Sequence, residues 1–513
     1  MRTAGILLPV SSLASRFGIG CFSREAYEFI DFLYNAGQGA WQVLPIGPTG
    51  FKDSPYQPVS AFAGNPYFIS IEDLVEEGLL TWDEVNDRFY GDNAERIDYG
   101  AIYASRPKLL RIASDRFFEH GEQQSREYTT FVKKSAAWLP DYAMYMALKE
   151  LHGGKSWQEW DDPYRTRDPE AIAKAEITLQ ENIVYYYFEQ FQFDKQWLKL
   201  RDYANRKNIR IIGDVPFYMA MDSVDTWSNP EVFKLNKDLT PKAISGCPPD
   251  AFSPTGQLWG NPLYDWDALK SDGYSWWLRR IRRNLVWFDT LRIDHFHGFS
   301  EYYEIPADEK TAVNGIMMRG PGMDFISHVH DLCDTDQIIA EDLGTRSAAN
   351  VKLMQESGFA GMKVLQYGFT SWDSVYLTHR HEQNSVVYTG THDNIPVRAW
   401  VERISNGERE FARAYLNSVN TDYGQFTWDF IREAYRSVAD LCIVPIQDYL
   451  VLGSDTRIND PGRGDGNWIW RIRPGSLSDA LCFSIRRLSE TYGRVPPAPE
   501  PDDETTNEET ATG

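Results

Sequence analysis

Cysteine is scarce in this chain of 513 residues: Cys21, Cys247, Cys333, Cys442 and Cys482 are scattered, odd in number and without metal-ligand spacing. That excludes a disulfide framework and a zinc-type cluster, and it points to a reducing, cytoplasmic compartment. Long apolar runs are missing too, since nothing approaches the roughly 18 consecutive apolar residues of a membrane span. The run Gly5-Ile-Leu-Leu-Pro-Val10 behind Arg2 is too short, and too interrupted by proline, for a signal peptide. Positive charge is in deficit, with 52 Lys and Arg against 74 Asp and Glu and a net charge of −22. Such a surface repels a phosphate backbone, which excludes nucleic acid and anionic membrane as partners and favours a neutral substrate. No G-x-G-x-x-G follows a strand pattern and no G-x-x-x-x-G-K-[ST] occurs, so nucleotide cofactors have no support; a G-x-S-x-G elbow is absent as well.

Aromatic rings, by contrast, are abundant: 14% of the residues, including 17 Trp and 28 Tyr. Most of these serve the core. Aromatic faces also stack on sugar rings, whose axial C–H groups form apolar patches.

Eight β-rich apolar runs span the chain: Gly5–Val10, Trp41–Ile46, Ile209–Pro216, Leu291–His295, Gln337–Asp342, Met362–Tyr367, Val386–Asp393 and Leu441–Asp448. Most are separated by segments long enough for a helix, and near-continuous apolar strands alternating with helices predict a parallel sheet covered on both faces. Eight such units close a (β/α)8 TIM barrel of the α/β class, and its reacting groups sit at the C-terminal strand ends. Asp214, Asp294, Glu341 and Asp393 all fall there.

The barrel is expected over residues 1–494 as one catalytic domain carrying two insertions around its mouth. The first, about 61–207, is read as mainly helical from the three- and four-residue apolar spacing in Lys108–Ile112 and Asp141–Lys149. The second, 217–285, contains the Gly- and Pro-rich stretch Gly246–Pro262, read as a long loop. Residues 495–513 turn Pro-rich and then acidic without apolar anchors, the composition of a disordered tail.

Among the strand-end carboxylates, Asp294 shares a strand face with Arg292 two residues earlier. A guanidinium beside a carboxylate favours the ionised form that a nucleophile needs. The same pattern also fits a buried structural ion pair. Glu341 ends an apolar approach that can desolvate a carboxyl and suit it to general acid work, or it caps the following helix. Asp342 points to the other face and reads as structural. Two carboxyls about 5–5.5 Å apart form the retaining glycosidase pair. Asp393 in Thr389-Gly-Thr-His-Asp-Asn394 offers a third, able to hold sugar hydroxyls as the ring flattens or simply to cap a turn. Neither His295 nor His392 belongs to a helical metal motif, so no metal is expected.

Longer motifs carry a resemblance. They are Gly5-Ile-Leu-Leu-Pro-Val-Ser-Ser12, Trp41-Gln-Val-Leu-Pro45 with Ser54-Pro-Tyr56, Gly64-Asn-Pro66, Gly213-Asp-Val-Pro216, Pro248-Pro-Asp250 with Gly256-Gln-Leu-Trp-Gly-Asn-Pro262, Arg292-Ile-Asp-His-Phe296, Ala340-Glu-Asp-Leu-Gly344, Gly390-Thr-His-Asp-Asn394, Asn459-Asp-Pro-Gly462 and Asn467-Trp-Ile-Trp-Arg471. In this order the chain resembles the 4-α-glucanotransferases of the amylomaltase type, relatives of the α-amylases. The resemblance implies Asp294 as nucleophile, Glu341 as acid/base and Asp393 as transition-state stabiliser, with Arg292 and His392 beside them. It implies glucan binding by Tyr56, Asp214, Asp250, Trp259 and Asn459, no cofactor, and a maltooligosaccharide or α-glucan as both donor and acceptor. A retaining transferase is therefore expected; the rivals are an α-1,4-glucan hydrolase and a catalytically silent glucan-binding protein.

Three departures from the family stand out. His297 replaces a usual arginine, Ile395-Pro396 a polar pair, and Gly315-Ile-Met-Met-Arg-Gly320 a more polar segment. If His297 lies near the reacting pair, the missing permanent charge lets Glu341 hold its proton to higher pH; otherwise His297 bonds a loop carbonyl and never feels the site.

Overall fold

The computed structural model describes residues 2–249, 253–344, 346–419 and 422–498. Its strands in chain order are β1 (Thr3–Leu7), β2 (Ala40–Gln42), β3 (Arg210–Val215), β4 (Ala243–Cys247), β5 (Gln257–Pro262), β6 (Thr290–Ile293), β7 (Glu301–Pro306), β8 (Ile316–Arg319), β9 (Ile338–Ala340), β10 (Ala360–Val364), β11 (Ser385–Tyr388) and β12 (Leu441–Pro445). Eight of them, β1, β2, β3, β6, β9, β10, β11 and β12, close into a barrel in that order. Each pairs parallel with its neighbours. Every apolar run read from the sequence supplies one barrel strand. The runs overshoot the strands at their C-terminal ends, because the chain leaves the ladder there to form the mouth.

Local packing explains one motif glycine next to the site. A Cβ at Gly213 would stand 2.1 Å from the Phe288 ring, so only glycine lets that ring seat between β3 and the turn into β6. Phe288 and its neighbours Trp287 and Leu291 are fully or almost fully buried.

The first insertion is helical as expected. Lys108–Ile112 falls in the helix Tyr99–Glu119, and Asp141–Lys149 in the helix Leu139–Leu151. A third helix, Gln180–Arg206, has 27 residues and carried little apolar periodicity to announce it. Its buried face includes Glu189, Gln190, Asp194 and Gln196. These side chains are spent on the barrel's connections: Gln190 both accepts from Gly64 N (2.7 Å) and donates to Gly64 O (2.9 Å), and Asp194 pairs with Arg283 at 2.7 Å. One contiguous core runs through the barrel and this insertion.

The second insertion departs from expectation. Gly246–Pro262 is not a long loop throughout; β4 and β5 flank its tip in an antiparallel sheet ordered β5-β4-β7-β8. The glycines that argued for a loop are the hairpin's close contacts. A Cβ on Gly246 would meet the Gln257 carbonyl at 2.1 Å, and Gly256 and Gly260 have φ of +67° and +79°. The departing segment Gly315–Gly320 supplies β8, at one edge of this sheet.

At the opposite end of the barrel the fully buried Arg494 donates to the carbonyls of Thr3, Tyr435, Ser437 and Ala439. The chain stays attached beyond it: Val495 and Pro496 are half-buried, and Pro497 O accepts from Asn208 Nδ2 at 3.2 Å. The described chain continues to 498, and the remainder of the tail expected to be disordered, from 499, lies outside the described residues. Among the described residues no helix is long and apolar enough to cross a membrane.

Candidate active site

Strand register assembles the site. Asp214 on β3 is paired with Arg292 on β6, and Ile293 on β6 with Ala340 on β9, so Asp294 and Glu341 leave adjacent strand ends side by side. Backbone bonds continue the ladder one step: Asp294 N donates to Val215 O at 3.0 Å and Glu341 N to Ile293 O at 3.1 Å.

Arg292 is the buried hub. Its Nη1 stands 2.6 and 2.8 Å from the Asp214 oxygens and 3.0 Å from Asp294 Oδ1. Both readings of the Arg-x-Asp pattern therefore hold, an ion pair with Asp214 and a contact to the candidate nucleophile. Burial alone would lower the guanidinium's pKa, but Asp214 and then Asp294 hold it well above the ordinary value. Tyr56 completes this arrangement by donating its hydroxyl to Asp214 Oδ2 at 2.8 Å.

Glu341 is fixed at both oxygens. Oε2 accepts from His295 N at 2.8 Å and Oε1 from Leu343 N at 3.0 Å. Desolvation nevertheless dominates: it pushes the carboxyl up to about 8, with Asp294 adding to it while Arg292 and the two N–H donors pull the other way. Asp342 turns away and accepts from Met362 N at 2.7 Å, which is the structural role expected of it. His295 takes a left-handed backbone (φ 46°), turning the chain sharply out of the barrel straight after Asp294. Burial lowers this imidazole to about 4 despite the adjacent Asp294, so it is neutral at working pH.

The third carboxylate, Asp393, is half-exposed and oriented by its surroundings. Asn459 Nδ2 donates to Asp393 Oδ1 at 2.6 Å, and His392 Nε2 lies 3.3 Å from the same oxygen. The Asp393 carbonyl accepts from Arg457 Nε at 3.1 Å. The turn holding it is tied below by Asp448, which accepts from Thr389 Oγ1 (2.6 Å) and Val397 N (2.7 Å). Tyr56 and His392 stack at 5.0 Å and 11°, and Trp468 flanks both rings at 5.6 and 6.0 Å, forming one wall. Trp259 on β5 forms another, edge-on to His295 at 5.0 Å.

Nine of the ten candidate residues thus converge on the barrel mouth; the tenth, Asp250, lies outside the described residues. Three further residues joined the site unannounced. Trp468 sits inside a quoted motif, and Tyr367, whose hydroxyl accepts from Asn394 Nδ2 at 3.1 Å beside Asp393, closes a quoted strand run, so each carried a positional signal. Arg457, two residues before Asn459, carried none.

His297 is buried three residues beyond Asp294. Burial lowers its pKa, and the charged groups acting on it are Asp342, Arg346 and Glu301. Neither Asp294 nor Glu341 is among those groups, which favours the alternative over the expectation that it tunes Glu341. The alkaline limb of kcat/KM for His297→Arg is therefore expected to superimpose on that of the native enzyme; a clear move to lower pH would contradict this placement.

Two carboxyls on adjacent strand ends, one touching a fixed cation and the other holding its proton, with a third carboxylate opposite and aromatic walls around them, make a cleft suited to acid-assisted displacement at a sugar carbon. Comparison with known proteins agrees with that chemistry. The family model described as glycoside hydrolase 77, 4-alpha-glucanotransferase, matches residues 8–478. The 4-alpha-glucanotransferase of Clostridium butyricum is 45% identical over 488 residues, covering 94% of this chain and 99% of the relative. That of Synechocystis is 43% identical over 498 residues, covering 96% and 98%. The amylomaltase from Streptococcus agalactiae, solved in complex with acarbose, superimposes with a TM-score of 0.94 at 38% identity, covering 97% of this chain and all of that one. With that family match along most of its length and these relatives end to end, the chain belongs to the 4-alpha-glucanotransferases of glycoside hydrolase family 77.

Proposed function

We propose that this enzyme transfers α-1,4-glucan segments between maltooligosaccharides by double displacement. An Asp294 carboxylate oxygen attacks the anomeric carbon while Glu341 gives its proton to the departing 4-oxygen, leaving the glucosyl part as an ester on Asp294. Glu341, now ionised, takes the proton of an acceptor 4-hydroxyl, whose oxygen displaces Asp294 and restores the α-configuration. Arg292 holds one Asp294 oxygen at 3.0 Å and so aims the other at the sugar. Asp393, oriented by Asn459 and His392, binds hydroxyls of the flattened ring. Tyr56, Asp214, Trp259 and Trp468 shape the pocket around it, with Asp250 a further candidate from its motif.

The observation that carries this reading is the contrast between neighbouring carboxyls: Glu341 is raised to about 8 while Asp294 touches the Arg292 cation. That the similar amylomaltase was solved in complex with acarbose supports an α-glucan as the substrate class. Incubating the purified enzyme with maltotriose tests it. A ladder of longer glucans together with glucose is expected. Glucose and maltose alone mean that water intercepts the ester, and unchanged maltotriose would favour a silent binding protein.

A further inference from the structure

One aromatic side chain near the mouth has no role in the account above. Trp372 is 73% exposed, a large forfeit of burial in a chain whose next most exposed tryptophan, Trp82, is 41% exposed. It follows the tight helical turn Leu365–Thr370 at the C-terminal end of β10, on the catalytic side of the barrel. The segment after this turn, which carries Trp372, is braced rather than loose. Ser374 N donates to Ser371 O at 3.2 Å, Leu377 N to Ser374 O at 3.2 Å, and Tyr376 N to Ser374 Oγ at 3.3 Å.

The same turn presents Tyr367, whose hydroxyl accepts from Asn394 Nδ2 at 3.1 Å and lies in the field of Asp393 and Glu341. Tyr376 packs edge-on against Tyr367 at 5.6 Å, and it too lies in the field of Glu341. Tyr367 and Tyr376 thus stand in the field of the acid/base, and the same short segment carries the open indole of Trp372. Glu341 acts on the oxygen of the departing glucan and then on that of the incoming one. A surface extending outward from Glu341 is met by the acceptor chain.

We propose that Trp372 is an outer acceptor platform, on which a glucose unit of the incoming glucan stacks beyond the reacting hydroxyl. This rests on the transferase reading above. The indole gives an acceptor several units long a contact that glucose alone is too short to reach, so it sets the preference for acceptor length. It touches no reacting atom and leaves the chemical step to the carboxylates.

The test measures transfer from amylose to radiolabelled glucose or maltotetraose by the native enzyme, Trp372→Ala and Trp372→Phe. For Trp372→Ala the ratio of kcat/KM with maltotetraose to that with glucose is expected to fall roughly tenfold, through KM for maltotetraose and not through kcat. Trp372→Phe, which keeps a flat ring, should recover most of the loss. A ratio unchanged in Trp372→Ala, whether both acceptors are unaffected or weakened alike, overturns the platform. A native enzyme that labels neither acceptor would instead overturn the transferase reading and the platform with it.

Discussion

Asp294→Asn is expected to lose roughly 10⁴-fold or more in glucan transfer while keeping its fold and its affinity for maltoheptaose. The amide is the same size and shape as the carboxylate, and Arg292 keeps Asp214 as its buried partner at 2.6 Å, so the strand end has no reason to move. What disappears is the nucleophile. An amide forms no stable glycosyl ester, and no other carboxylate stands on the β6 strand end to replace it. Initial rates on maltotriose, thermal melts and calorimetric binding separate these effects, with mass spectrometry to exclude deamidation back to aspartate. A variant that retained more than about one per cent of the rate without deamidation would show that the chemistry runs elsewhere.

Glu341→Gln carries the second large effect, a loss of roughly 10²–10⁴-fold with natural glucans. Its pH dependence is more diagnostic than its size. The free enzyme needs Glu341 protonated, and burial together with the Asp294 charge holds that proton until about pH 8. The kcat/KM profile of the native enzyme should therefore fall on the alkaline side near that value, since raising the pH through the pKa removes the acid. In Glu341→Gln no proton is lost and that limb should vanish. α-Maltosyl fluoride, whose leaving group needs little protonation, should still load the variant rapidly. A native profile flat through pH 9 would contradict the assignment of the acid.

The sequence announced the barrel because each of its strands is buried on both faces and largely apolar, and such runs stand out without knowledge of their partners. It announced the candidate carboxylates because strand ends are the mouth of a barrel. Asp214, Asp294, Glu341 and Asp393 needed only their positions in those runs. What remained hidden depends on contacts between distant segments. The helix Gln180–Arg206 turns Gln190 and Asp194 inward to bond a backbone and an arginine from elsewhere, which erases its apolar stripe. The β4–β5 hairpin looked like a loop because its glycines serve close backbone approach, a need that appears only once Gln257 is opposite Gly246. Arg457 reaches the Asp393 carbonyl from a segment with no strand pattern at all. His297 illustrates the converse: three residues from Asp294 in sequence, it is acted on by Asp342, Arg346 and Glu301 rather than by the carboxyl pair.

The central claim is that Asp294 becomes glycosylated, and trapping that ester tests it most directly. Glu341→Gln is mixed with α-maltosyl fluoride, quenched in acid within seconds, digested with pepsin and analysed by tandem mass spectrometry. The account predicts a maltosyl adduct on the peptide spanning Leu291–Phe296, localised to Asp294 and absent from the Asp294→Asn, Glu341→Gln double variant. A maltosyl group found on another residue, or β-configured products released with no adduct at any quench time, would contradict it.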